Sequence, residues 1–151
     1  MKIIVLRGLP ASGKTTWARA YLADHRGRAG RVCRDDVREH VLGASMRAGD
    51  AVLDRAGEDV VSAVVDAAVI ALLSQGLDVI IDATNLHERN IRRWRQLAEI
   101  HSCDIEIVHL DVDARECVRR DAVRAAAGQR HVGAAVIWRM ARVLGGHGTD
   151  I

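Results

Sequence analysis

The stretch Gly8-Leu9-Pro10-Ala11-Ser12-Gly13-Lys14-Thr15 constrains the fold of this chain more than any other. It fits G-x-x-x-x-G-K-S/T, follows the apolar run 2–7 (KIIVLR) and opens a helical pattern over 13–24. Strand, glycine turn and helix form the context this motif requires. The glycines let backbone N–H groups turn inward around an anion, and the helix N-terminus adds partial positive charge. A chain that begins this way has to build a parallel sheet with the loop at a strand's carboxyl end.

The remaining pattern supplies such a sheet. After a basic loop at 26–31 (RGRAGR), Val32 and Cys33 read as a minimal second strand ending at "RDD". Val37–Leu42 reads as a short helix closed by Gly43, and 44–49 as a linker without pattern. Asp50–Gln75 reads as one long helix stopped by Gly76. Its polar positions Asp50, Asp54, Glu58, Ser62 and Asp66 recur every four residues as one stripe, with the rest packed. Residues 77–82 (LDVIID) are a strand, and about 86–101 an amphipathic helix with Ile91, Trp94, Leu97 and Ala98 inward. Residues 104–110 are the last strand, followed by helices over about 113–125 and 134–143 around the loop "AGQRHVG". The expected class is α/β, a parallel four-stranded sheet flanked by helices. Residues 1–145 form one domain, and 146–151 a flexible C-terminal tail.

Composition removes several alternatives. With 151 residues and 49% hydrophobic content the chain is long and apolar enough for one packed domain. A net charge of +2 is too weak to argue a nucleic-acid partner by itself. Of 22 basic residues only Lys2 and Lys14 are lysines, which reads as GC-rich coding bias. Lys14 stands out against that bias, at a place where a compact point charge is not interchangeable with a planar fork. Cys33, Cys103 and Cys117 are widely spread, without metal or disulfide spacing, and read as reduced thiols packed as small hydrophobes. The first apolar run is broken by Arg7 and Gly8, and the run Val60–Leu73 contains Asp66, so neither reads as a leader or a bilayer span. A cytosolic setting is expected.

The chemistry follows from the loop. Lys14 is expected to reach the β- and γ-phosphates of a nucleoside triphosphate, and the Thr15 hydroxyl to ligate Mg²⁺. There is no Asn-Lys-x-Asp for guanine and no Asp-x-x-Gly switch, and the length does not allow an AAA+ ATPase with its own lid domain. "CRDDVREHVLG" instead offers a carboxylate for an acceptor hydroxyl. Asp36 and Glu39 have capping-box spacing, which assigns Asp36 to the helix N-cap and leaves Asp35 as general base. Arg38, in the first turn of that helix, opposes the helix dipole and therefore points to phosphate binding or carboxylate orientation. Asp82, at the end of "VIIDATN", either supports the Mg²⁺ shell or pairs with Arg38. Asn85, spaced like a cap from Glu88, reads as a helix cap. Arg119, Arg120, Arg124 and Arg130 flank the late loop, where one or two of them can act as a lid over the phosphates. Arg89, Arg92, Arg93 and Arg95 read as a solvated helix face.

Taken together, "GKTTWAR", "RDDVR" at 34–38, "VIIDATNLHERN" at 79–90 and "RRDAVR" at 119–124 resemble the kinase domain of bacteriophage polynucleotide 5′-kinases, over nearly the whole chain. The resemblance implies a P-loop kinase with an arginine-bearing lid that moves the γ-phosphate of ATP or another NTP to a 5′-OH end of DNA or RNA, in the host cytosol if the chain is phage-encoded. It implies donor contacts from Gly8, Ser12, Gly13, Lys14, Thr15, Thr16, Arg120, Arg124 and Arg130, with Mg²⁺ on Thr15 and Asp82 behind it. It implies an acceptor side of Asp35, Arg38, Asp82, Thr84 and Val132, and a catalytic set of Lys14, Asp35, Arg38 and Arg124. The chain departs from that pattern in the lid, where "AAAGQRHVG" replaces a shorter loop ending in Val-Pro, leaving Arg124 and Arg130 as alternatives for the phosphate contact. Sequence for a 3′-phosphatase domain is absent, so kinase activity alone is expected. A kinase for a small metabolite or a hydroxymethylated DNA base, and a non-catalytic nucleotide-binding module, are the competing readings.

Overall fold

Residues 1–44 and 52–145 are described by the structure, a computed structural model. Residues 45–51, which hold Asp50 and most of the expected 44–49 linker, lie outside it, as does the expected tail 146–151. The elements follow in the order β1 Lys2–Arg7, α1 Lys14–Asp24, β2 Ala29–Val32, α2 Arg34–Leu42, α3 Arg55–Ser74, β3 Asp78–Ile81, α4 Glu88–Ile100, β4 Asp104–His109, α5 Ala114–Ala126 and α6 Ala134–Gly145. The four strands pair in the order β2-β3-β1-β4, every pair parallel, with Ile4 opposite Ile80 and Glu106, and Val32 opposite Ile81.

Strand alternation sends side chains to two cores. Ile3, Val5, Val32, Val79 and Ile81 face one layer, where they meet Val61, Val65, Val69 and Leu73 of α3 and Ile91, Trp94 and Ala98 of α4. Ile4, Leu6 and Ile80 face the other, under Ala18, Trp17, Tyr21 and Leu22 of α1. Each fully buried Ile or Val contributes roughly 1.5–3 kcal/mol, so the sheet is the stable frame on which the site is mounted. A third cluster joins Leu9 of the glycine loop to Cys117 of α5 and Ile137 of α6. The last helix pair is thereby packed onto the phosphate loop itself.

Several element boundaries differ from the sequence expectation, for identifiable reasons. The second strand begins at Ala29, so the basic loop shrinks and Arg31 becomes a strand residue. Gly30 lets Leu72 of α3 pack close against this strand, since a Cβ there would lie 2.7 Å from Leu72 Cδ1 and the Leu72 side chain would have to shift. Helix α2 starts at Arg34 with Cys33 as its N-cap, which corrects the assignment of that cap to Asp36 and moves Arg38 into the second turn. Asp35 and Asp36 both join the first turn, where the helix dipole favours carboxylates. Helix α3 starts at Arg55 and not Asp50, because the Asp54 carboxylate accepts from Gly57 N at 2.8 Å and caps it. The rest of α3 is not wholly packed either, since Val60 and Ile70 are exposed. Asn85 is not the cap of α4; that place is taken by His87. The cysteines are free, with Cys33 and Cys117 buried. Among the described residues no helix is long and apolar enough to cross a membrane.

Candidate active site

The glycine loop is shaped by positions that exclude larger residues. A Cβ on Gly8 would lie 2.8 Å from both Leu110 O and Ser12 Oγ. Ala11 and Gly13 both have positive φ, 62° and 100°, a curl that turns successive N–H groups to one side. Gly8 N donates to Thr84 O at 3.1 Å, which ties the loop to the end of the neighbouring strand. Lys14, the first residue of α1, folds its ammonium back to donate to Gly8 O at 3.0 Å and Leu9 O at 2.6 Å. Burial lowers its pKa to about 8, against an ordinary 10.5. A buried ammonium in a curl of backbone donors is the arrangement that a triphosphate would complete.

Beside it, Thr15 Oγ1 donates to Asp82 Oδ2 at 2.9 Å. This hydroxyl and carboxylate make an oxygen pair suited to Mg²⁺, which binds through few protein oxygens alongside substrate phosphates. The described residues hold no group of three or more His, Cys, Asp or Glu side chains that could bind a metal by themselves. Asp82 is buried and takes its charge partner from Arg31, whose Nε donates to Asp82 Oδ2 at 2.7 Å. Of the two expected roles for Asp82, pairing with Arg38 is thus ruled out.

Arg38 is committed elsewhere. Its NH1 donates to Asp35 Oδ1 at 2.6 Å, while Nε and NH2 grip both oxygens of Glu58 at 2.7 and 2.8 Å. Arg34 joins from the start of α2, donating to Glu58 Oε2 at 2.9 Å and Ser62 Oγ at 3.1 Å. The paired fork fixes the Arg38 plane. The hydrogen bonds that Arg38 donates to Glu58, with the neighbouring carboxylates, hold the guanidinium pKa above its ordinary value despite burial, and those donated by Arg38 and Arg34 hold Glu58 below its own. Glu58 and Ser62 belong to the polar stripe of α3, so part of that stripe faces the site.

Lys14, Thr15, Asp82, Thr84, Asp35 and Arg38 all line one cavity of about 820 Å³, together with Gly13, Arg124, Arg130 and Val132. Arg89 and Arg93 of the expected solvated face line it too, and Arg93 also pairs with Asp66 of α3. Among the described residues the wall carries Lys14, Arg34, Arg38, Arg89, Arg93, Arg124 and Arg130 against Asp35, Glu58, Asp82 and Asp121, an excess of cations. A smaller cavity of about 300 Å³ on the other side of the loop is lined by Thr16, Arg119, Arg120 and Arg124. Arg124 therefore borders both. It has no ion-pair partner among the described residues, whereas Arg119 and Arg120 both grip Glu116 and lower its pKa to about 2.

The lid loop is held by a residue that sequence reasoning missed. Asp121, buried in α5, accepts from Val132 N at 3.1 Å and Gly133 N at 2.8 Å. Arg31, Glu58 and Asp121 were invisible for one reason: a charged side chain on a strand or helix looks like any solvated one until its partner's position is known. Asn85 was visible but given the wrong role. It sits buried at φ 46°, its Nδ2 donating to Leu6 O at 2.8 Å and its Oδ1 accepting from Trp94 Nε1 at 3.3 Å.

A glycine loop opening a helix, set at the carboxyl ends of a parallel four-stranded sheet, with a carboxylate across the cleft and an arginine-bearing helix pair above, defines a P-loop nucleotide-binding domain of the kinase class. The chain belongs to the AAA domain family AAA_33, whose profile matches residues 3–146. A chain of the Pnkp1/Rnl/Hen1 RNA repair complex is similar to it at 29% identity and TM-score 0.77, over 99% of this chain and 46% of that one. A chain from a second Pnkp1/Rnl/Hen1 complex is 34% identical with TM-score 0.66, over 79% and 38%. This chain thus spans less than half the length of those two. The APS kinase CysC of Mycobacterium tuberculosis, in complex with AMPPNP and APS, shares the fold at 20% identity and TM-score 0.62, over 88% and 79%.

Proposed function

We propose that residues 1–145 form a polynucleotide 5′-kinase domain that transfers the γ-phosphate of ATP or another NTP to the 5′-hydroxyl end of DNA or RNA. One observation carries this reading: Asp35, fixed by the Arg38–Glu58 fork, shares a cavity with Lys14 and Thr15 of the phosphate loop. Arg38 holds Oδ1 of Asp35, and Oδ2 has no partner among the described residues. That free oxygen takes the proton of the acceptor hydroxyl as its oxygen attacks the γ-phosphorus. The bond from the γ-phosphorus to the β–γ bridging oxygen breaks, and the nucleoside diphosphate leaves. Lys14 exchanges its carbonyl partners for β- and γ-phosphate oxygens, and the backbone N–H groups at the start of α1 hold the β-phosphate. Mg²⁺, held by Thr15 with Asp82 behind it, would supply charge neutralisation on the phosphates.

Arg124, which borders both cavities and has no ion-pair partner among the described residues, is assigned to the developing charge, with Arg120 and Thr16 toward the donor nucleoside. Thr84 and Val132 border the acceptor. One further fact supports nucleic-acid ends over a small metabolite: the likeness at 29% identity to a chain of an RNA repair complex. The free thiols fit a reducing, cytosolic setting.

The test is transfer of label from γ-labelled ATP with Mg²⁺ to 5′-OH DNA and RNA oligonucleotides, with 5′-phosphorylated oligonucleotides as controls. Label on 5′-OH ends alone is expected. Nucleotide binding with no labelled end would overturn the reading in favour of a metabolite kinase, a modified-base kinase or a non-catalytic module.

A further inference from the structure

Arg130 lies in the part of the lid that departs from the pattern the sequence resembles, and its direct ion-pair partners are on α2. Its NH1 donates to Asp36 Oδ1 at 3.0 Å, and its NH2 pairs with Glu39, both on α2. The other Asp36 oxygen, Oδ2, accepts from Arg31 NH1 at 2.6 Å. Arg31 in turn reaches Asp82, and Asp82 reaches Thr15. A continuous set of charge-assisted bonds therefore runs from the phosphate loop, across the carboxyl ends of β3 and β2, to the tip of the lid. Asp36 takes one arginine on each oxygen, so Arg31 holds it in the orientation that receives Arg130. Two and three residues further along the lid, Val132 and Gly133 are pinned by Asp121. The loop between α5 and α6 is thus attached at two points, one inside the lid and one across the cleft on α2.

We propose that Arg130 is a latch that fastens the lid to α2, through Asp36 and Glu39, and is not a ligand of the phosphates. This inference rests on reading α5–α6 as the lid of the donor site. It separates the two arginines that the sequence left as alternatives: Arg124, without an ion-pair partner among the described residues and bordering both cavities, serves the phosphates, and Arg130 holds the lid in place. Asp36, whose neighbour Asp35 serves the acceptor, becomes a positioning residue for the lid. The two consecutive carboxylates of "RDD" then serve opposite walls of the cleft, one facing the reaction and one closing over it. Burial works against the Arg130 charge, and the bonds to Glu39 and Asp36 outweigh that and raise its pKa.

The experiment compares the full chain with Arg130→Ala, Glu39→Ala and the double variant. Two quantities are read: backbone hydrogen exchange across 127–133, and affinity for a non-hydrolysable ATP analogue with Mg²⁺. Removal of a half-buried two-carboxylate contact is expected to speed exchange in this segment about three- to tenfold in Arg130→Ala. Glu39→Ala should speed it by a smaller factor, and the double variant should exchange no faster than Arg130→Ala alone. Analogue affinity should stay within about threefold in all three, since a latch does not touch the phosphates. Unchanged exchange in Arg130→Ala, additive effects of the two substitutions, or a loss of analogue affinity confined to Arg130→Ala would each overturn the proposal. Failure to label 5′-OH ends leaves these readouts intact, so the latch and the acceptor assignment fail separately.

Discussion

Asp35 and Asp36 are neighbours of identical chemistry, and the fold gives them different partners. Asp35 meets Arg38, and Asp36 meets Arg31 and Arg130. The distinction depends on where α2 begins: with Cys33 as the N-cap, both carboxylates fall in the first turn, and capping-box spacing does not tell them apart. Glu58 carries the next consequence at this scale. Glu58→Gln keeps the volume but weakens the fork on Arg38, and through it the aim of Asp35. A charged hydrogen bond of this kind corresponds to roughly 10- to 100-fold in kcat. Steady-state kinetics should show that loss with the nucleotide KM nearly unchanged; an equal loss in nucleotide affinity would mean that Glu58 supports the donor side instead. Lys14 makes a pH prediction. Burial lowers its pKa to about 8, and bound phosphates favour the ammonium. Nucleotide binding should therefore take up a proton at pH 8–9, and affinity should fall as pH rises through about 8. Without nucleotide the sign reverses: between about 8 and 10.5 the unfolded chain binds more protons, so the Lys14 contribution to stability rises with pH. Calorimetry in two buffers of different ionisation enthalpy measures the uptake directly.

At the scale of elements, the glycine loop, the strands and the long α3 were legible because each follows from short-range pattern: short apolar runs, period four, and the spacing of the glycines. The start of β2 was not, because "RGRAGR" has the composition of a loop. Only its pairing with β3, Gly30 opposite Val79 and Arg31 opposite Ile80, makes it a strand. The polar stripe of α3 was legible as a stripe, but its partners on α2 and α4 were not, since they lie 20 or more positions away in sequence. The α5–α6 pair makes the prediction that belongs here. Asp121→Ala strands two backbone N–H groups at the entry to α6. An unsatisfied group of this kind costs about 1–3 kcal/mol, so the urea midpoint should fall with an unchanged slope. Stability equal to wild type would show that the lid loop is held by other contacts.

At the scale of the molecule, a net charge of +2 conceals an uneven distribution, with seven cations and four carboxylates on the wall of one cavity. Composition alone could not show this, because the wall is assembled from the loop, α2, α3, α4 and the lid. If that wall receives a polynucleotide end, the acceptor KM should rise with salt while kcat holds. The log–log slope should correspond to about one to three released counterions, given that single strands lose about 0.7 per phosphate contact. A salt-independent KM would point to a small neutral acceptor. The account stands or falls, however, on Asp35 acting across the cleft from the phosphate loop. The most direct test is single-turnover transfer from γ-labelled ATP to a 5′-OH oligonucleotide by the wild-type chain and by Asp35→Asn, with nucleotide affinity measured on both. The account predicts a rate loss of roughly 10²–10⁴ with affinity nearly unchanged. Transfer by Asp35→Asn at the wild-type rate would contradict it.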